Sequence, residues 1–539
     1  MQTDKPQTIG WKAVSKTGAV AAGHANAVAA GISLLEQGGN AADAAAATIL
    51  ALNVTDHGPC SIGGEVPLII FDAKRRQTKV LSGMGSAPLS TEAIEWYMRH
   101  GIPKKGSIKI APVPSVVDLC TTVLQHYGTK TFEEIVSPAL KLLDAGKEPF
   151  QRKLAFTLRK LIEAEHAASG SREEKIQAAS DRFYGRHGAK SDIADALEAD
   201  YIEGGGFLRR ADLAAHKTRI EAPVTVKYRG YTVCKCGPWT QGPYLCQALR
   251  LLEGFDLKAM GHLSADYVHA VIEAIKLAMA DRDEYYGDPN FVDVPMKALL
   301  SSRYTNLRRP LIDMLKASLE ARPGDPLNMT ALTEPGTFRP GIGGTTTCVV
   351  ADRWGNLVSA TPSANVENKS GGRTGVTYSN RLVSLNTVPG HPNCIQPGKR
   401  PRITLTPTMV LKDNRPVLAI SVAGGDLQDQ TTLNLLLDFV EFGMMPESAV
   451  VAPRFATHHH EDSFDPDANR ASTFRRPGSL TINTTVNPSV RSELAHRGHK
   501  VEAIPGPIAN PVMLHIDHQT GEFHAAGDPA AGRHAAGLS

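Results

Sequence analysis

Thr345, Ser363 and the glycines around them are the residues of this chain whose types and spacing point most directly to chemistry. Gly341-Ile342-Gly343-Gly344 runs into Thr345-Thr346-Thr347-Cys348-Val349-Val350-Ala351, then Asp352-Arg353-Trp354-Gly355-Asn356, then Leu357 to Ser363. Two β-prone runs flanking a short glycine-containing loop predict a hairpin. With Asp352 opposite Asn356, Ser363 falls opposite Thr345, within one residue if the loop carries a bulge. Two hydroxyls then meet where a glycine segment enters a strand. A hydroxyl nucleophile needs a base, and the chain contains no GxSxG motif of the Ser-His-Asp type. A threonine can instead use its own α-amino group, which titrates at about 7.7 to 8.0 and so suits general-base work near neutral pH. Thr345 is internal, so this chemistry requires a cut between Gly344 and Thr345. Gly344 offers the least obstruction to Thr345 Oγ attacking the preceding carbonyl.

The elements that must position these groups are legible in outline. From His24 to Asn53 the chain is Ala-rich and is interrupted by Gly38-Gly39-Asn40, which predicts two packed helices. Ser61 to Asp72 predicts a glycine turn feeding a buried strand, with Lys74-Arg75-Arg76 as its solvated end. Helical periods dominate between about 115 and 320, and the charge run from Arg159 to Arg182 reads as an exposed helical face. After Pro340 the texture turns to strands, including Thr406 to Leu411 and Val417 to Val422. Helices first and strands later predict a layered α/β fold rather than two unrelated modules.

The 539 residues are 42% hydrophobic and 21% charged, which excludes collagen-like and wholly disordered chains. The net charge of +3 is too small and too dispersed for a nucleic-acid or anionic-lipid partner, so neither is expected. No apolar run approaches the roughly 18 residues of a membrane span, and the first residues lack a signal-peptide stretch. Seven cysteines without a paired framework predict buried, reduced thiols, and the chain is read as cytoplasmic. Cys234-Lys235-Cys236 matches neither a redox motif nor half of a zinc site. His458-His459-His460 beside Glu461 and Asp462 is expected to be a solvated loop rather than a metal site, because adjacent strand residues cannot all face one ion.

GGTTTCVVADRWGNLVSATPS resembles the processing and nucleophile motif of the γ-glutamyltransferase family, a branch of the N-terminal nucleophile hydrolases. The resemblance spans nearly the whole chain: GHANAVAAGISLLEQGGNAADAA at 23–45, SIGGEVPLIIFDAK at 61–74, DRDEYYGDPNFVDVP at 281–295, PGKRPRITLTPTMV at 397–410, VAGGD at 422–426, APRF at 452–455 and DPAAGRHAAG at 528–537. It implies an αββα sandwich and a proenzyme that cuts itself into a large subunit, 1–344, and a small one, 345–539, held together as a heterodimer around one αββα domain. It further implies Thr345 as nucleophile, Ser363 as its supporting hydroxyl, Asn365 as a substrate contact, and the N–H groups of Gly424 and Gly425 as the oxyanion hole. Neither a cofactor nor a metal is implied.

The departures from the family pattern bear on the substrate. Met84 stands where members acting on γ-glutamyl compounds carry an Arg for the α-carboxylate, and Ser384 falls near the acidic residue that grips the α-ammonium. Ile403 and Thr404 replace a pair of serines, while Arg381 and Arg402 appear as candidate substrate contacts for a carboxylate arriving from another direction. The expected substrate is therefore a small, carboxylate-bearing amide, in the manner of the oxamate amidohydrolase-like branch. A γ-glutamyl hydrolase or transferase acting on glutathione is the alternative. An unprocessed, non-catalytic binding protein is the alternative of another class.

Overall fold

The computed structural model describes residues 8–334, 345–366, 370–461, 463, 464, 474 and 476–538. Two seven-stranded sheets form its centre. The first runs, in spatial order, His534–Leu538, Gly18–Ala22, Cys348–Asp352, Leu357–Ala360, Val66–Asp72, Gln77–Gly83 and Ile220–Glu221. The second runs Lys12–Ser15, Glu522–Gly527, Asn510–Asp517, Arg415–Ala423, Thr408–Lys412, Tyr231–Lys235 and Val224–Tyr228. Neighbouring strands within both sheets are antiparallel.

Three hydrophobic layers make this an αββα sandwich. Ala19, Ala21, Ile69, Val349 and Ala351 of the first sheet pack against Met409, Ala419, Val512 and Leu514 of the second. The alternate residues Val20, Leu68, Ile70, Val350 and Val358 face outward onto helices Ala25–Glu36, Ala41–Thr55 and Val116–Tyr127. The outer face of the second sheet, including Val410, Leu418 and Ile420, is covered by helices Pro243–Leu252, Ala265–Tyr285 and Gln428–Phe442. With both faces buried, strands such as CVVAD and VPLIIFD read as continuous apolar runs instead of alternating ones.

Local sequence explains the elements around the nucleophile candidate. Asn40 caps helix Ala41–Thr55, accepting from the N–H groups of Ala42 and Asp43, while the Asp43 carboxylate accepts from the Asn40 N–H. Asp352 closes the predicted hairpin: it accepts from the N–H groups of Trp354 and Asn356, and its other oxygen accepts from the N–H of Ala41. That carboxylate ties the hairpin to the first turn of the helix behind it.

Three sequence expectations meet the structure here. All seven cysteines are free and buried. No described helix is long and apolar enough to cross a membrane. The histidine loop, however, is not solvated: His459 and His460 are buried. The loop tolerates burial because the protein answers its polar atoms, with His459 Nδ1 accepting from the Gly478 N–H at 2.8 Å and Nε2 donating to the Glu320 carbonyl at 3.0 Å.

Candidate active site

Cys348 pairs with Ala360, and the same register continues outward to a bridge between Thr345 and Ser363. Their hydroxyl oxygens lie 3.3 Å apart, and Thr345 is 8% exposed. Gly344, the other side of the expected cleavage bond, lies outside the described residues. Thr346, next along, points away and donates to the Asp56 carboxylate.

Ser363 is fixed from two directions. Its N–H donates to the Glu65 carbonyl at 2.8 Å and its carbonyl accepts from the Glu65 N–H at 2.9 Å. Its Oγ accepts from Arg381 Nη2 at 2.6 Å, while Arg381 Nε donates to Glu65 Oε1, also at 2.6 Å. Both members of this ion pair have wholly buried side chains. Burial pushes the Glu65 carboxyl up, and the neighbouring Arg381 guanidinium pulls it back. Arg381 therefore does face the site, but its charge is already matched inside the protein, which departs from its expected use for a substrate carboxylate. Its Nη1 has no partner among the described residues.

On the far side of Thr345 lies Gln428, whose side-chain amide is 3.3 Å from Thr345 Oγ1. The amide nitrogen is best satisfied by donating to the carbonyls of Val422, at 3.0 Å, and Thr404, at 3.1 Å, which turns the amide oxygen toward the threonine. Gly424 and Gly425 form the turn between strand Arg415–Ala423 and this helix, with φ of 155° and 60°. Gly425 occupies the left-handed region, where a side chain is strained, and a Cβ on Gly424 would come 2.7 Å from the Cβ of Ala509. Neither glycine N–H has a hydrogen-bond partner among the described residues. Gln241 holds the turn from outside by donating to the Gly425 carbonyl.

A buried polar network backs the glycine turn. Asp426 accepts from Arg282 and from the N–H and hydroxyl of Ser463, and Arg282 also donates to Gln241 Oε1 at 2.8 Å. Although it is buried, the Arg282 guanidinium holds the Asp426 carboxyl well below the usual range. Arg402 reaches the same network, donating from Nη1 to Ser463 Oγ at 2.5 Å. Unlike Arg381, it has no carboxylate within ion-pair distance among the described residues, although it is only 9% exposed. Burial first, and then nearby Arg282, draws this guanidinium down to about 10, so it remains charged at neutral pH. Phe464 closes the ring, lying 5.2 Å from the Arg381 guanidinium and against the position a Gly425 side chain would fill.

Asn365 sits two residues beyond Ser363 with a φ of 57°, half-exposed. Met84 is buried in the layer between the sheets, and Ser384 is buried with an Oγ that has no partner among the described residues. Sequence reasoning missed Glu65, Gln428, Asp426, Arg282 and Phe464. Glu65 did carry a signal, since it is a lone charge at the mouth of an apolar strand. Among the described residues, His269, Glu273 and His499 bring possible metal-ligand atoms within 4.8 Å of one another. Their capacity is largely spent: Glu273 accepts from Lys276 at 2.6 Å and Arg322 at 2.8 Å, and His269 bonds His499 and the Asp313 carbonyl, both at 2.8 Å.

The family model described as gamma-glutamyltranspeptidase matches residues 27–174 and 149–538. The chain is 29% identical to the glutathione hydrolase proenzyme of Bacillus subtilis (strain 168), covering 98% of this chain and 92% of that protein. It is 28% identical to the acylase ACY 1 proenzyme of Pseudomonas sp. (strain SE83), covering 90% and 88%. Among solved structures it superposes on LmbA2991HD with a TM-score of 0.84 at 32% identity, covering 99% of this chain and all of the other.

Proposed function

Since the chain belongs to the gamma-glutamyltranspeptidase family of N-terminal nucleophile hydrolases, we propose that Thr345, freed by self-cleavage after Gly344, is the nucleophile of a small-amide hydrolase. The observation that carries this reading is the Thr345–Ser363 hydroxyl pair beside a glycine turn with two N–H groups that have no partner among the described residues. In the cut enzyme the neutral amine of Thr345 takes the proton from Oγ as Oγ attacks the amide carbon. The carbonyl oxygen gains negative charge and accepts from Gly424 and Gly425, the electrostatic term that dominates such reactions. The protonated amine then gives its proton to the leaving nitrogen as the C–N bond breaks, leaving an ester on Thr345. Water, deprotonated by the same amine, attacks that ester, and the amine returns the proton to Thr345 Oγ as the C–O bond breaks and the acid leaves.

The two products of self-cleavage stay associated in this reading. Strand Gly18–Ala22 of the first piece is paired on both sides by strands of the second, His534–Leu538 and Cys348–Asp352. Separation would expose both edges of a buried strand. The seven free thiols suit the cytoplasmic placement proposed for it.

The substrate we propose is a small amide bearing a carboxylate, held by Arg402. A buried guanidinium with no carboxylate in ion-pair contact among the described residues gains from an anionic ligand, and it matches a carboxylate with two parallel hydrogen bonds. Met84 and Ser384 supply no charge for the clamp of an α-amino acid. Asn365 is retained as a further contact. The test is a screen of oxamate-like and other carboxylated amides against glutathione, read as released ammonia or amine. Carboxylated amides should lead in kcat/KM by at least about tenfold, roughly 1.4 kcal/mol. Arg402→Met should raise KM for them about tenfold or more while self-cleavage proceeds. Efficient glutathione turnover untouched by Arg402→Met would favour instead the activity carried in the name of the Bacillus relative.

The base assignment makes a second prediction. The burial of Thr345 favours a neutral amine, so kcat/KM should rise with an apparent pKa at or below the free amine's roughly 7.7 to 8.0. A profile from pH 5 to 9, with chemistry shown to limit the rate, checks this. A flat profile would count against the amine.

A further inference from the structure

We propose that Glu65 and Arg381 are positioning residues that fix the direction of the Ser363 hydroxyl, so that Ser363 donates its proton to Thr345 Oγ as the nucleophile reacts. The proposal rests on Thr345 being the nucleophile, and it assigns to Arg381 a task other than holding substrate.

The geometry is directional. Arg381 Nη2 can only donate, so at 2.6 Å it occupies a lone pair of Ser363 Oγ and leaves the serine proton to point elsewhere. Thr345 Oγ1, 3.3 Å away, is in reach of that proton. With its oxygen turned inward, Gln428 is an acceptor for Thr345, so the threonine oxygen lies between a donor on one side and an acceptor on the other. A hydroxyl that accepts from a cation becomes a stronger donor, because hydrogen bonds in series polarise one another. Donation from Ser363 then steadies the negative charge that gathers on Thr345 Oγ when its amine withdraws the proton.

Glu65 makes this arrangement stable. An arginine buried to this degree without a partner carries a large desolvation cost, and the Glu65 carboxylate at 2.6 Å offsets it. The same residue holds the Ser363 backbone through two reciprocal hydrogen bonds, so one residue fixes both the serine and the arginine that orients it. Phe464, 5.2 Å from the guanidinium, covers the open face of Arg381.

The test is a double-mutant cycle in the full-length protein, with self-cleavage and turnover measured separately. Ser363→Ala and Arg381→Gln should each lower kcat by about tenfold to a hundredfold with KM changed less than threefold. The pair together should cost little more than Ser363→Ala alone, since Arg381 acts through that hydroxyl. Because Arg381→Gln strands Glu65, the matched variant Glu65→Gln/Arg381→Gln is included. It should melt within a few degrees of wild type yet remain as slow as Arg381→Gln. Additive losses in the cycle, or recovery of kcat in the matched variant, would overturn the proposal and leave the pair a purely structural tie. Loss of the nucleophile assignment shows differently, as activity surviving Thr345→Ala.

Discussion

Thr345→Ala protein is expected to purify as one folded, uncut chain with no measurable amidase activity. Thr345 is buried, but the substitution removes only a hydroxyl and a methyl, so it leaves no buried charge and no large cavity. Its fold should therefore match wild type by circular dichroism and melt within a few degrees of it. Processing and turnover fail together because one oxygen serves both: it attacks the Gly344 carbonyl once, and then attacks each substrate. The loss should reach the background of the assay, at least about ten-thousandfold, as removal of a covalent nucleophile does elsewhere. Thr345→Ser is the matching control. It keeps the oxygen and should cut itself, more slowly, and retain part of the activity. An alanine variant that still appears as two fragments would show that another residue makes the cut.

Gly424→Ala should produce the second largest effect, a fall in kcat of about a hundredfold or more with KM little changed. Its φ of 155° and the 2.7 Å approach of a new Cβ to Ala509 force the turn to move. The donors for the developing oxyanion are then misdirected, and losing one such donor typically costs 10²- to 10³-fold. The ground-state amide carbonyl needs those N–H groups less, so binding should survive. Steady-state kinetics on a carboxylated amide checks the split between kcat and KM. A rise in KM alone would place the glycine turn in substrate binding and outside the oxyanion hole. The variant chain should stay folded, since the network of Asp426, Arg282 and Ser463 holds the turn from behind.

The parts of this molecule that were legible in its sequence are those governed by local periodicity. The hairpin register placed Ser363 opposite Thr345, and the bridge falls there because the loop at Gly355 adds no bulge between Cys348 and Ala360. The helix pair at 25–36 and 41–55 followed from an Ala-rich run broken by Gly38-Gly39-Asn40, with Asn40 able to cap. What could not be read was pairing across the chain. Glu65 and Arg381 are 316 residues apart, and nothing near Arg381 in sequence says that its charge is already matched. Arg402, twenty-one residues on, donates from its side chain to a serine and has no carboxylate in ion-pair contact among the described residues. The histidine triplet misled for a related reason: its polarity suggested water, but Gly478 and Glu320, distant in sequence, supply the hydrogen bonds that permit burial.

Glu65 shows how such a pairing alters the chemistry on offer. Had Arg381 stood without a carboxylate, two arginines would have faced the site, and a dianionic substrate would have been the natural reading. With the charge of Arg381 matched by Glu65, Arg402 is the arginine of the two without an ion-pair partner among the described residues, which is in keeping with a single carboxylate on the proposed substrate. That distinction rests on the contacts of two side chains.

The central claim is that the chain makes its own catalytic amine, and intact-mass spectrometry of freshly purified wild-type protein tests it most directly. The account predicts two species whose masses correspond to residues 1–344 and 345–539, the second beginning with an unblocked Thr345. A single uncut species, or a cut at any other bond, would contradict it.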